Sequence, residues 1–177
     1  MNEDHRNVTD AFRGKSVEAI KGELDEHRID LEIAVENLVR DFSMGTIVRT
    51  ANAFNVKTIH VIGRRQWNKR GAMATDKYMN ILYHADVATF RTAVQGKAII
   101  VMDIVDGAVD LHQAEIPEQA VLVFGAEGPG VSDELLGIAD QVVQIEQFGS
   151  TRSVNVGVAA GIAMYTWVQR HVLSREG

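Results

Sequence analysis

The sequence predicts an α/β protein in which a parallel sheet is covered by helices on both faces. Short apolar segments with strand character alternate along the chain with segments of helical spacing, and this order is typical of parallel sheets. The 177 residues, 46% hydrophobic and 24% charged, suit one folded domain with a sizeable core. No Gly/Ser-rich linker and no internal repeat divides the chain.

The predicted elements begin with a helix over residues 16–27, capped by Ser16. A strand over residues 31–36, with alternating apolar and acidic residues, precedes a helix over residues 45–54 that ends at Asn55. The later elements are strands over residues 57–62, 98–102, 120–124 and 141–145 and helices over residues 88–95, 132–139 and 154–173, with Ser132 capping the second of these helices. We assign residues 1–29 to an N-terminal helical extension and residues 30–177 to the main domain.

Composition argues against several classes of protein. No apolar run reaches the length of a membrane span, and the first residues lack the basic and apolar regions of a signal peptide. We therefore expect a cytoplasmic protein without membrane contact. The chain has no cysteine, and its six histidines include no pair at i, i+4. Disulfides and thiolate chemistry are thus excluded, and we expect no metal site.

The charge is distributed unevenly. Residues 1–97 contain 15 Lys and Arg against 13 Asp and Glu, whereas residues 98–177 contain three against eleven. Residues 98–151 contain ten acidic residues and no Lys or Arg. This stretch should repel a polynucleotide and accept a cationic ligand.

One short segment, residues 64–70, concentrates positive charge. It contains Arg64, Arg65, Lys69 and Arg70 together with Trp67. Four cations and an aromatic ring suit phosphate neutralisation combined with base stacking. A solvated surface loop with an incidental tryptophan is the alternative interpretation.

Two loops that follow predicted strands are candidates for a ligand site. Residues 124–130 are rich in glycine but have neither the spacing of a dinucleotide-binding loop nor the lysine of a P-loop. Their glycines allow a ligand to approach the backbone, although an ordinary turn is equally open. Residues 146–153 are polar and lie between two buried elements, which suggests either a functional loop or a helix start capped by Ser153. Small residues in the last helix, among them Gly157 and Gly161, predict close packing against another backbone.

Three segments together resemble motifs 1, 2 and 3 of the SpoU (TrmH-like) RNA ribose 2'-O-methyltransferases of the SPOUT class. They are residues 36–54, with DFSMGTIVRTANAF, residues 123–130, VFGAEGPG, and residues 145–156, with SVNV at the end. Order and spacing match over about residues 30–172. The resemblance implies the SPOUT fold, a C-terminal trefoil knot and a homodimer formed beside it.

The chain departs from this family pattern at several positions. Ser43 stands where the family usually has asparagine, and Ile145-Glu146-Gln147 stands where it has Ile-Pro-Met. Arg152 introduces a cation that is suited to touching a phosphate, and Val154 replaces the usual leucine. The change at residues 145–147 alters the rim of the implied cofactor loop, Ser43 affects ribose or dimer contacts, and Val154 keeps an apolar contact.

The resemblance implies that S-adenosylmethionine is the methyl donor and a ribose 2'-hydroxyl of tRNA or rRNA the acceptor. It implies a central role for Arg49, as a base or as a group that positions phosphate, and physical chemistry favours positioning because guanidinium stays protonated. By correspondence, Asn155 and Ser153 lie near the methyl group and the ribose. The implied cofactor-binding residues are Gly125, Ile145, Val154, Ala126, Gly128, Phe148, Gly149 and Met102. The predicted RNA-binding residues are Arg64, Arg65, Trp67, Lys69, Arg70 and Arg152.

Two other functions are compatible with parts of the sequence. A non-catalytic RNA-binding or ribosome-associated protein could retain the same fold, but the presence of both Arg49 and Asn155 favours an enzyme. A nucleotide-binding protein with other chemistry is disfavoured because both standard phosphate-binding motifs are absent.

Overall fold

The structure, a computed structural model, describes residues 6–37, 43–125 and 128–175. Within them lie seven strands: β1 Ile29–Asn37, β2 Val56–Gly63, β3 Ile81–His84, β4 Ala98–Met102, β5 Val109–Asp110, β6 Ala120–Phe124 and β7 Gln141–Gln144. The helices are α1 Val17–Asp25, α2 Ser43–Ala53, α3 Val87–Ala93, α4 Asp133–Leu136 and α5 Val156–His171, with 3-10 turns at Asp10–Phe12, Arg70–Ala72, Thr75–Tyr78 and Leu173–Arg175. The strands form one sheet in the order β3-β2-β1-β6-β4-β7-β5, and every pairing is parallel.

Apolar side chains pack on both faces of this sheet. On one face Ile33 of β1 belongs to a cluster that includes Ile47 of α2 and Trp167 of α5. On the other face the neighbouring Ala34 belongs to a cluster that includes Phe90 of α3 and Leu135 of α4. Successive strand residues therefore supply two separate cores, which confirms the predicted parallel sheet with helices on both faces.

Local sequence signals account for most element boundaries. The Ser16 side chain accepts a hydrogen bond from the Ala19 amide, and that of Ser132 accepts one from Leu135. Asn55 follows α2 with a φ of 54°, a left-handed conformation that asparagine tolerates better than most residues. The predicted bounds of β4 and β6 agree with the structure.

Several elements differ from the sequence-based prediction. The sequence does not predict strands β3 and β5, because four and two residues are too short to display a period. Helix α4 ends at Leu136 rather than at residue 139. Helix α5 begins at Val156 with Asn155 as its cap, so the alternative in which Ser153 caps it is wrong.

The alternating pattern of β1 does not reflect one buried and one solvated face, because residues 31–37 are all buried. Glu36 accepts a hydrogen bond of 2.8 Å from the amide of Ser132. Glu32 contacts Nε2 of His60 at 2.9 Å and pairs with Lys97, and Nδ1 of His60 lies 2.8 Å from Nε2 of His84. These partners compensate for the loss of hydration that a buried carboxylate would otherwise suffer.

This buried network shifts the pKa values of its members. Burial alone would raise the pKa of Glu32, but the hydrogen bonds from His60 and Lys97 outweigh it and lower the value. Burial also lowers the pKa of His84, and the neighbouring His60 lowers it further. The folded protein therefore favours an ionised Glu32 and a neutral His84.

Three expectations concern the chain as a whole, namely the absence of a membrane span, the trefoil knot and the cytoplasmic location. Among the described residues, no helix combines the length and the apolar character needed to cross a membrane. The trefoil knot and the cytoplasmic location stay predictions.

Candidate functional site

A cavity of about 760 Å³ opens at the carboxyl ends of the strands. Met102, Phe124 and Gln144 line it, and these residues end the adjacent strands β4, β6 and β7. The carboxyl ends of parallel strands are where open α/β sheets bind ligands. The volume lies within the usual range for small-molecule sites, about 300–1,000 Å³.

The cavity brings together most of the residues that the resemblance implied for the cofactor. Met102, Gly125, Gly128, Ile145 and Val154 line it, as do Arg152, Ser153 and Asn155. Phe148 is 97% exposed and is not among the lining residues, and neither is Gly149. The structure does not bring these two residues into the cavity wall, and their part in cofactor binding stays a prediction. Ala126 lies outside the described residues.

Gly125 lines the cavity and also allows close packing within its own loop. A Cβ atom added there would lie 2.2 Å from the carbonyl carbon of Gly130 and 2.5 Å from the amide nitrogen of Val131. The absence of a side chain thus lets the loop fold back on itself at the cavity wall. Gly128 and Gly130 have φ values of 99° and 74°, which strongly favour glycine.

Asp103 is a site residue that the sequence-based prediction missed. Its Oδ1 accepts a 2.7 Å hydrogen bond from the amide of Ile104, and its Oδ2 accepts one of 2.8 Å from Val131. All three residues line the cavity, so one carboxylate connects two segments of its wall. Asp103 is the first residue after β4, and its position at the carboxyl end of a parallel strand was the available signal.

The charge of the wall is mixed. Asp103 and Asp133 contribute carboxylates, and Arg152 is the one cation among the described lining residues. A cationic ligand and a phosphate could therefore be accommodated at different parts of the same opening.

Asn155 joins α5 to α2 at the side of the cavity. Its Oδ1 accepts hydrogen bonds from the amides of Gly157 and Val158, at 3.0 and 3.3 Å, and its Nδ2 donates to Oγ of Ser43 at 3.0 Å. A Cβ at Gly157 would lie 3.2 Å from Cγ2 of Thr46. Helix α2 packs against the small residues of α5, but the atoms that approach them belong to threonine side chains and not to the backbone that the sequence predicted.

Arg49 occupies an exposed position on α2 and does not line the cavity. The next residue, Thr50, has its methyl group 3.8 Å from the place where a Cβ of Gly161 would stand. Arg49 therefore flanks the contact between α2 and α5. The structure does not bring it into the cavity with Ser153 and Asn155, and its role stays a prediction.

The residues of the basic segment 64–70 differ in their exposure to solvent. Its four cations are exposed, but Trp67 is only 9% exposed and belongs to the core. The indole Nε1 of Trp67 donates to the hydroxyl of Tyr83 at 3.4 Å. Burial leaves little of the ring exposed for stacking on a base, and the part of Trp67 in RNA binding stays a prediction.

Within that segment, two of the cations are already engaged. Lys69 pairs with Asp76 at 2.8 Å, and this hydrogen bond raises the pKa of Lys69. The guanidinium of Arg65 lies 4.9 Å from the ring centre of Tyr83. Neither Arg64 nor Arg70 forms an ion pair with a residue in the described ranges.

Several known proteins are similar to this chain in sequence and in fold. The tRNA (guanosine(18)-2'-O)-methyltransferase of Thermus thermophilus is 26% identical over 166 residues, which cover 90% of this chain and 83% of that protein. The crystal structure of the Aquifex aeolicus TrmH/SpoU tRNA modifying enzyme superposes with a TM-score of 0.78 at 25% identity, covering 90% of this chain and 84% of that one.

The Escherichia coli K12 protein named tRNA (guanosine(18)-2'-O)-methyltransferase is 26% identical over 141 residues. The alignment covers 77% of this chain but only 62% of that longer relative. The family model described as the SpoU rRNA Methylase family matches residues 30–165, which include the cavity wall. The chain therefore belongs to the SpoU rRNA Methylase family.

Proposed function

We propose that the protein transfers a methyl group from S-adenosylmethionine to a ribose 2'-hydroxyl of tRNA or rRNA. The observation that carries the proposal is the cavity at the carboxyl ends of β4, β6 and β7, whose wall is built from the motif residues of the family. The names of the related tRNA methyltransferases support the reaction type.

The cavity fits the cofactor in size and in charge. Its volume of about 760 Å³ lies within the usual range for small-molecule sites, and the carboxylates of Asp103 and Asp133 suit a positively charged sulfonium. Gly125, Ile145 and Val154 would hold the cofactor against the ends of the strands. Bound S-adenosylmethionine supplies an activated methyl group, so the protein mainly has to bind and align the reactants.

The acceptor hydroxyl must be held and its developing charge stabilised. Ser153 and Asn155 line the cavity and can face the ribose, although the amide of Asn155 also caps α5. We propose that Arg49 holds an RNA phosphate, because a guanidinium is a rigid, permanently charged fork and a poor base. Since Arg49 does not line the cavity of its own chain, bound RNA or a second chain must bridge the separation.

A second chain has a candidate contact surface on α5. Val158, Ile162 and Tyr165 are 52%, 39% and 46% exposed, and their i, i+4, i+7 spacing places them on one face of the helix. Solvated apolar stripes of this kind mark association surfaces. We propose a homodimer through this face. Light scattering should report a dimer for the unmodified chain and a monomer for the double variant Val158→Asp, Ile162→Asp.

The basic segment supplies a candidate RNA surface. Replacing Arg64, Arg65, Lys69 and Arg70 with alanine should weaken RNA binding and flatten its dependence on salt. A matched variant removes four exposed cations elsewhere, namely Arg13, Lys57, Arg91 and Arg175. If both variants lose the same affinity, net charge rather than this segment governs binding.

Methyl transfer itself is tested with radiolabelled S-adenosylmethionine and either bulk tRNA or rRNA that lacks modifications. Digestion to nucleosides should recover the label as 2'-O-methylribonucleoside. RNA binding without any transferred label would instead support a non-catalytic RNA-binding protein. Label found only on bases would reject ribose methylation.

A further inference from the structure

Three potential metal ligands converge outside the cavity. Asp110 ends β5, His112 follows it, and Glu146 follows β7. One ligand atom from each of the three side chains lies within 4.8 Å of the other two. The parallel pairing of Asp110 with Gln144, and a 2.8 Å hydrogen bond from the Leu111 amide to the Gln144 carbonyl, bring the two segments together.

The donor set is that of a transition-metal site. One imidazole nitrogen and two carboxylates are ligands that Zn²⁺ accepts at about 2.0–2.2 Å. Nδ1 of His112 contacts Oε1 of Glu146, and the two atoms would move apart on coordination, because each would then bond to the metal instead of to the other. The side chain of His112 is 62% exposed, which leaves room for its adjustment and for a water ligand.

Neighbouring groups orient two of these ligands. Nε2 of Gln144 donates to Oδ1 of Asp110 at 2.8 Å and leaves Oδ2 of that carboxylate available. The backbone amide of His112 lies 3.4 Å from Oε1 of Glu146. Hydrogen bonds of this kind commonly fix the geometry of metal-binding carboxylates.

The local charge also favours a cation. Residues 98–151, which include all three ligands, contain no Lys or Arg. Arg170 approaches the cluster, but its guanidinium donates to the carbonyl oxygens of Leu111, His112 and Ala114 rather than to the carboxylates.

We propose that Asp110, His112 and Glu146 bind one divalent transition-metal ion such as Zn²⁺, and that this ion fixes the loop bordering the cavity. Ile145 and Gln147, the residues on either side of Glu146, both line the cavity. Glu146 is also one of the positions at which the chain departs from the family pattern. The departure thus supplies a ligand that a proline could not.

Calorimetric titration of the full chain with ZnCl₂ tests the site directly. We expect one ion per chain, with Glu146→Gln and His112→Ala each weakening the affinity by at least about tenfold. The controls are Glu115→Gln, an exposed acid in the same stretch, and His27→Ala, an exposed histidine elsewhere. Both controls should bind as the unmodified chain does. No binding at millimolar Zn²⁺, or equal binding by all four variants, would overturn the proposal.

Hydrogen exchange tests the effect on the loop. Zn²⁺ should slow amide exchange over residues 144–147 in the unmodified chain and leave it unchanged in Glu146→Gln. Circular dichroism of the metal-free variants, compared with the metal-free parent, separates ligand loss from unfolding. Bound Zn²⁺ without slower exchange in this segment would overturn the claim that the ion fixes the loop.

Discussion

Replacing Gly125 with alanine should damage the cavity wall through backbone overlap. The new Cβ would stand 2.2 Å from the carbonyl carbon of Gly130, whereas ordinary contacts begin at 3.4 Å, so the loop must move by about 1.2 Å. No side-chain rotation relieves the contact, because the opposing atoms belong to the backbone. Overpacking of this kind costs about 1–3 kcal/mol.

The same movement would disturb the hydrogen bond from Val131 to Asp103, which is 2.8 Å long. Hydrogen bonds to charged groups contribute about 1.5–3 kcal/mol, so the free energy of unfolding should fall by about 2.5–6 kcal/mol in total. Urea unfolding measures this loss, and calorimetry should show a tenfold or larger loss of S-adenosylmethionine affinity.

Gly149→Ala is the matched control, because a Cβ at Gly149 meets no atom within 4 Å. Its effect on unfolding should stay within about 0.5 kcal/mol. If Gly125→Ala behaves like this control in urea unfolding, the described packing of the loop is wrong.

Three further changes test other parts of the structure. Arg49→Lys should lower methyl transfer by more than about tenfold while S-adenosylmethionine still binds, because lysine lacks the rigid fork; near-normal turnover would reject the proposed role. Asn155→Ala should lose about 1–2 kcal/mol in urea unfolding because α5 loses its cap, whereas Asn155→Asp, which keeps the accepting oxygen, should lose less; equal losses would reject the cap. The unfolding free energy should stay constant above about pH 6.5 and fall as the pH drops through the lowered folded pKa of His84. If His84→Gln shows a similar fall between about pH 7.5 and 5.5, the loss of stability comes from other groups.

The sequence predicts those parts of the fold that local patterns encode. Strands such as β4 are continuous apolar runs, and the caps at Ser16 and Ser132 are chemical signals confined to one turn. Strand β5 has only two residues and exists because β7 pairs with it. No local sequence pattern predicts such a strand.

The sequence likewise predicts some residues of the site and not others. Gly125, Ile145 and Val154 are found through motif order, and they line the cavity. Burial of Trp67 cannot be seen in the sequence, because its neighbours along the chain are polar or cationic while its neighbours in space are apolar. The convergence of Asp110, His112 and Glu146 is equally hidden, since it depends on the pairing of β5 with β7.

The central strand β1 affects how the chain can fold during synthesis. It lies between β2 and β6, so one of its edges stays open until residues 120–124 have been synthesised. A nascent chain can pair β1 with β2 early, but it must then hold an apolar strand edge in water while most of the remaining domain emerges from the ribosome. Such long-range parallel pairing slows folding. We expect prematurely terminated fragments that end before β6 to aggregate, and the complete chain to depend on chaperones during synthesis more than a protein with local strand pairing would.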